Sequence, residues 1–66
     1  MSNSPDIQAM RILEALTALY PDGAPDAAQL VENALCDLRH LADKNWLIYS
    51  RHDRAAHRLY LEEKAA

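Results

Sequence analysis

The sequence predicts one small α+β domain in which two helices are followed by a β-hairpin. Residues 5–20 and 26–45 each repeat apolar side chains at helical spacing. Residues 47–61 instead contain two short runs of strand-forming residues with a polar connection between them. With 66 residues, the chain is long enough for a single domain with a thin core. We expect its ordered part to span residues 5–62.

The first helix has a clear start signal. Ser4 can cap a helix, Pro5 suits the first helical position, and Asp6 complements the helix dipole. Ile12 and Leu19 widen the apolar stripe beyond what one packing face requires. We therefore expect this helix either to pack on two sides or to pack on one side and form a homodimer through the other. The stripe itself consists of Ala9, Met10, Leu13, Leu16 and Tyr20.

The second helix carries the strongest periodic signal in the sequence. Asp26 and Gln29 have the spacing of a capping box. Asn45 is expected to take the left-handed conformation that ends the helix. Leu38 lies at the centre of the apolar stripe and is expected to face inward. The stripe comprises Val31, Ala34, Leu35, Leu38, Leu41 and Ala42.

The two strand-like runs follow directly. Residues 47–51 are rich in β-branched and aromatic types, and residues 58–61 alternate polar and apolar side chains. The connection, residues 52–57, is polar and short. Strands joined by so short a loop predict an antiparallel hairpin.

The charges are distributed unevenly along the chain. The net charge is −3, which taken whole argues against a nucleic-acid binder. Residues 1–36 hold one base and five acids, a net of −4, whereas residues 37–61 hold five bases and three acids, a net of +2. All three histidines lie in the second stretch. The molecule is thus expected to have an acidic first half and a mildly basic hairpin.

Two stretches resemble a known family. Residues 38–49, with Leu38, Leu41, Leu47 and Ile48, and the basic segment 51–61 resemble the end of the recognition helix and the wing of winged helix-turn-helix DNA-binding domains. The arsenic-repressor-like and PadR-like bacterial regulators are the most similar. In those families a helix ending L-x-x-L-x-x-x-G-L-I runs into a basic hairpin, and Asn45 or Trp46 stands here at the glycine position.

The resemblance implies a winged-helix-like fold and a regulator-type role on double-stranded DNA. The single cysteine and the polar N-terminus without an apolar signal core predict a cytoplasmic protein. Residues 12–16 resemble the first helix of the same domains. A small accessory protein of a phage or mobile element would suit this role. The alternative is a winged-helix module that binds another protein and no DNA.

Residues 26–45 allow two arrangements. The first is a compressed helix-turn-helix with a break near residues 32–33, where Asn33 could cap a new helix. The second is one continuous helix, which is favoured because the apolar period runs through Asn33 without a phase shift.

The candidate DNA-binding residues fall into two groups. In the hairpin, positive side chains on a protruding element would contact phosphates. On the second helix, polar side chains would contact the duplex, some of them at base edges. The alternatives are a hairpin edge kept soluble by charge and an ordinary solvated helix face. The hairpin group is Arg51, Arg54, Arg58, His52 and His57, and the helix group is Asn33, Arg39, His40 and Lys44.

Other classes of site are less well supported by the sequence. Cys36 and His40 are four residues apart, but two ligands are too few for a usual metal site, so no metal or cofactor is expected. No nucleophile–base set is recognisable, so we do not expect the protein to be an enzyme. No apolar run is long enough for a membrane helix, so no membrane partner is expected. Trp46 is expected in the core, with a role as a partner anchor as the alternative.

Overall fold

Three α-helices make up most of the chain in the computed structural model, which describes residues 4–21 and 26–65. Helix α1 spans Pro5–Leu19, α2 spans Ala27–Lys44, and α3 spans Tyr49–Ala65. The Cα positions fall into two compact units, the first ending at Cys36 and the second beginning at Asp37. The boundary between the units therefore lies within α2.

Helix α1 begins as the sequence predicts. The backbone N–H of Ile7 donates to the Ser4 side-chain oxygen at 3.2 Å, and Pro5 occupies the first turn, where its missing N–H costs nothing. At the other end, the Tyr20 hydroxyl donates to the backbone carbonyl of Asn33 at 3.3 Å. This bond ties the end of α1 to α2 within the first unit.

Helix α2 is continuous. Asp26 caps it, because its side-chain oxygen accepts the backbone N–H of Gln29 at 2.9 Å. The helix then runs to Lys44 and does not break near residues 32–33. The continuous arrangement favoured by the apolar period is confirmed, and the compressed helix-turn-helix is excluded.

The C-terminal end of α2 is a Schellman motif. The backbone N–H of Leu47 donates to the Ala42 carbonyl at 2.9 Å, and that of Trp46 donates to the Asp43 carbonyl at 3.3 Å. Trp46 takes the left-handed position of this motif, with a φ of 60°. Glycine usually occupies this position because a Cβ atom is strained there.

The prediction that Asn45 would be the left-handed residue is wrong by one position. The Asn45 side-chain amide instead donates to the Leu41 carbonyl at 2.9 Å. The same carbonyl also accepts the backbone N–H of Asn45 at 3.2 Å, so the side chain adds a second hydrogen bond at the helix end. Asn45 stabilises the helix end through its side chain, while its neighbour Trp46 carries the backbone reversal.

The predicted β-hairpin does not form. Helix α3 covers most of residues 47–61, and no strand is present in the described ranges. The physical reason lies in the connection: residues 52–57 contain no glycine or asparagine to take the positive φ that tight hairpins require. Ala55 and Ala56 favour a helix there instead. The fold is therefore all-helical, and the α+β, winged-helix-like prediction is wrong.

Few side chains are buried. Of the described residues, the hydrophobic core consists of Leu30, 3% exposed, in the first unit and Ala42, 6% exposed, in the second. Leu38, predicted to face inward, is 49% exposed. Leu30 lies about 80° around α2 from Leu38, given 100° per residue. The prediction for Leu38 is therefore wrong, and the buried Leu30 lies just outside the predicted stripe.

Candidate interaction surfaces

Three arginines share one face of α3. Arg51, Arg54 and Arg58 are spaced i, i+3 and i+7, so they lie within an arc of about 60° on the helix. All three are exposed, and Ala55 lies about 40° around the helix from Arg51, on the flank of the three. We call this surface the arginine face of α3. The sequence grouped these residues on a wing, and the structure groups them on a helix.

The two histidines predicted with them lie on opposite flanks of this face. Around α3, His52 lies about 100° from Arg51, and His57 lies about 60° beyond Arg54 on the other side. The ring of His57 stacks on that of Tyr60, with centroids 6.1 Å apart. Asp53, the only acid among residues 49–58, lies on the side of α3 away from the arginines.

The predicted binding residues of α2 do not form one surface. Asn33, His40 and Lys44 share one side of the helix, and Arg39 lies about 100° from His40. The guanidinium carbon of Arg39 is 4.4 Å from the centre of the Tyr49 ring. A cation held over an aromatic ring at this distance is attracted by the ring's quadrupole. Arg39 thus connects the end of α2 to the start of α3 within the second unit.

Trp46 is the most exposed large apolar side chain in the described residues, at 93%. It was predicted to fill the core, and the exposure of its indole shows that it does not. The backbone reverses direction at this residue, where φ is 60°. Leu47 and Ile48, which follow it, are also exposed. The turn between α2 and α3 therefore presents three apolar side chains in succession.

Helix α1 also carries exposed apolar side chains. Ile12 and Leu19, expected to extend the stripe past one packing face, are both exposed. On another side of the helix, Asp6, Met10 and Glu14 are spaced i, i+4 and i+8, and all three are exposed. We call this second surface the acidic ridge of α1. Its spacing of four is visible in the sequence, where Asp6 was expected only to complement the helix dipole.

Two other predicted features can be located. Cys36 is a free, exposed thiol. Across residues 4–21 and 26–65, no three His, Cys, Asp or Glu side chains come together as a metal site would need. None of the three helices, over the part that the structure describes, has the length and hydropathy of a membrane span.

Comparison of the chain with protein-family models, with curated proteins and with solved structures finds no match.

Proposed function

We propose that this chain is a self-associating helical protein in which Trp46 anchors the contact with a second copy. The observation that carries this proposal is the backbone of Trp46. A tryptophan at a left-handed position strains the chain, and an indole that is 93% exposed contributes nothing to the core. Such strain is common at binding sites, and tryptophan is over-represented among the residues that dominate interface energies.

The distribution of charge supports a second copy as the partner. The first unit, up to residue 36, has a net charge of −4. The second unit, from residue 37, holds six bases and five acids, a net of +1. Both units also expose large apolar side chains. A second copy therefore offers each unit a surface of opposite charge and matching apolar character.

Sedimentation and tryptophan emission test this proposal. The protein has one tryptophan, so its emission should shift to shorter wavelength as micromolar protein associates and the indole leaves water. Trp46→Gly should weaken self-association by about tenfold or more, the scale of a lost hot spot. The same change should raise monomer stability by about 1 kcal/mol, because glycine adopts the left-handed backbone without strain.

Trp46→Phe is the matched control, since it keeps an aromatic ring at the same backbone position. It should retain most of the association that Trp46→Gly loses. A single species of 7.4 kDa at every concentration would reject self-association.

The arginine face of α3 supports a second candidate function, which is binding to double-stranded DNA. Three guanidinium groups on one exposed helix face can contact successive phosphates. The net charge of −4 on the first unit opposes this role, so that unit would have to face away from the duplex.

A salt titration of duplex DNA tests the second candidate. Each arginine that contacts a phosphate should contribute about 0.9 to the slope of log affinity against log salt. Replacing Arg51, Arg54 and Arg58 together by alanine should then lower the slope by about 2.7 and weaken all sequences alike. Arg11→Ala on α1 is the control and should change nothing. No binding at low salt would reject DNA as a ligand.

A further inference from the structure

The arginine face of α3 and the acidic ridge of α1 match in length. Asp6 and Glu14 are eight residues apart, a rise of about 12 Å along α1, with Met10 midway. Arg51 and Arg58 are seven residues apart, a rise of about 10.5 Å along α3. Two helices packed side by side can therefore bring an acid near an arginine at both ends of the contact.

The apolar positions of the two surfaces also fit each other. Met10 is 62% exposed and stands between the two carboxylates, whereas Ala55 is small and lies on the flank of the arginine face, between Arg51 and Arg58 along the helix axis. A large, flexible side chain over a small one allows two helices to approach closely. Ile7 and Leu13 flank the ridge and are exposed as well, so they add apolar area to the same contact.

On the basis of the self-association proposed above, we infer that the arginine face of α3 in one copy docks on the acidic ridge of α1 in a second copy. The apolar side chains supply most of the affinity, because exposed ion pairs are individually weak in water. The charges set the choice of partner and the register of the two helices. Each copy carries both surfaces, so either copy can supply the arginine face or the acidic ridge.

A charge-swap experiment on the full chain tests this docking. The acid-swapped variant carries Asp6→Lys and Glu14→Lys, and the arginine-swapped variant carries Arg51→Glu and Arg58→Glu. Each variant alone brings like charges together at every docking contact, so each should self-associate about tenfold or more weakly than the wild type. Mixing the two variants makes every contact between unlike copies attractive again. The mixture should therefore form a heterodimer with near wild-type affinity.

Two controls keep the result interpretable. Glu32→Lys with Asp53→Lys changes the net charge as much as the acid swap does but lies outside both surfaces, and it should associate like the wild type. Far-ultraviolet circular dichroism should show unchanged helix content for every variant. If a lysine at position 6 unfolds α1, a variant with Asp6→Asn and Glu14→Gln takes the place of the acid-swapped variant. Removing the two charges without reversing them should weaken association less than the acid swap does.

The outcomes separate this docking from self-association in general. A wild type that associates, with swapped variants that associate equally well alone and gain nothing when mixed, would overturn the docking of α3 on α1 and leave self-association intact. A wild type that is monomeric throughout would remove both. Variants that stay monomeric alone and pair only with each other would establish the contact.

Discussion

Leu30→Ala is expected to lower the free energy of unfolding by about 2–5 kcal/mol, the usual cost of truncating a buried leucine. Leu30 is the most completely buried side chain among the described residues. Small domains are stable by only about 5–15 kcal/mol, and a thin core places this chain at the low end. Urea unfolding followed by circular dichroism, at concentrations low enough to keep the protein monomeric, measures the loss.

Leu35→Ala is the matched control for this change. It makes the same substitution on the same helix, but Leu35 is 44% exposed. Its loss should be less than half that of Leu30→Ala, because the area returned to water is smaller and little cavity is left. Equal losses at the two positions would contradict the burial that the structure assigns to Leu30.

Ala34→Pro is expected to cost about 3 kcal/mol or more and to reduce helix content. Residue 34 lies in the interior of α2, where a proline ring clashes with the carbonyl of Leu30 and removes a backbone hydrogen bond. The two arrangements considered for residues 26–45 predict opposite results here. If Asn33 capped a separate helix, position 34 would be its first residue, where proline is well tolerated.

Ala34→Gly separates the effect of proline from a general intolerance of change at this site. It should cost about 1 kcal/mol through helix propensity alone. Thermal and urea unfolding of the two variants give the comparison. A proline variant no less stable than the glycine variant would indicate a break in α2.

The first two helices could be predicted from the sequence because their ends depend on short-range chemistry. The Ser4 hydroxyl and the Asp26 carboxylate each accept a backbone N–H three residues further on. The apolar period between the caps then extends each helix. The same local logic correctly favoured a continuous α2 over a helix with a turn at Asn33.

The third helix could not be predicted in this way because residues 47–51 and 58–61 are short apolar runs that suit a strand or a helix. The resemblance to a winged helix favoured the strand. The connection decided against it, since Ala55 and Ala56 continue a helix at no cost and residues 52–57 contain no glycine or asparagine for a tight turn. The Arg39 cation over the Tyr49 ring holds the first residue of α3 against the end of α2.

The candidate surfaces were predicted in part. Arg51, Arg54 and Arg58 were singled out by their charge, but their common face depends on a helical period of 3.6 and disappears in a strand. The histidines predicted beside them are dispersed by the same change of period. The acidic ridge lies on α1, a helix that was predicted correctly. The spacing of its three residues could therefore be recognised in the sequence.

The sequence by itself determined where α1 and α2 begin and which side of each is apolar, because caps and periodicity act over a few residues. Only the tertiary structure decided which apolar side chains are covered. Leu30 and Ala42 are buried, whereas Leu38 and Trp46 are exposed. The sequence predicted that Leu38 and Trp46 would be buried, Leu38 from its periodicity and Trp46 from its size. Burial depends on what packs against a side chain from elsewhere in the chain, or from another copy, and no local pattern records that partner.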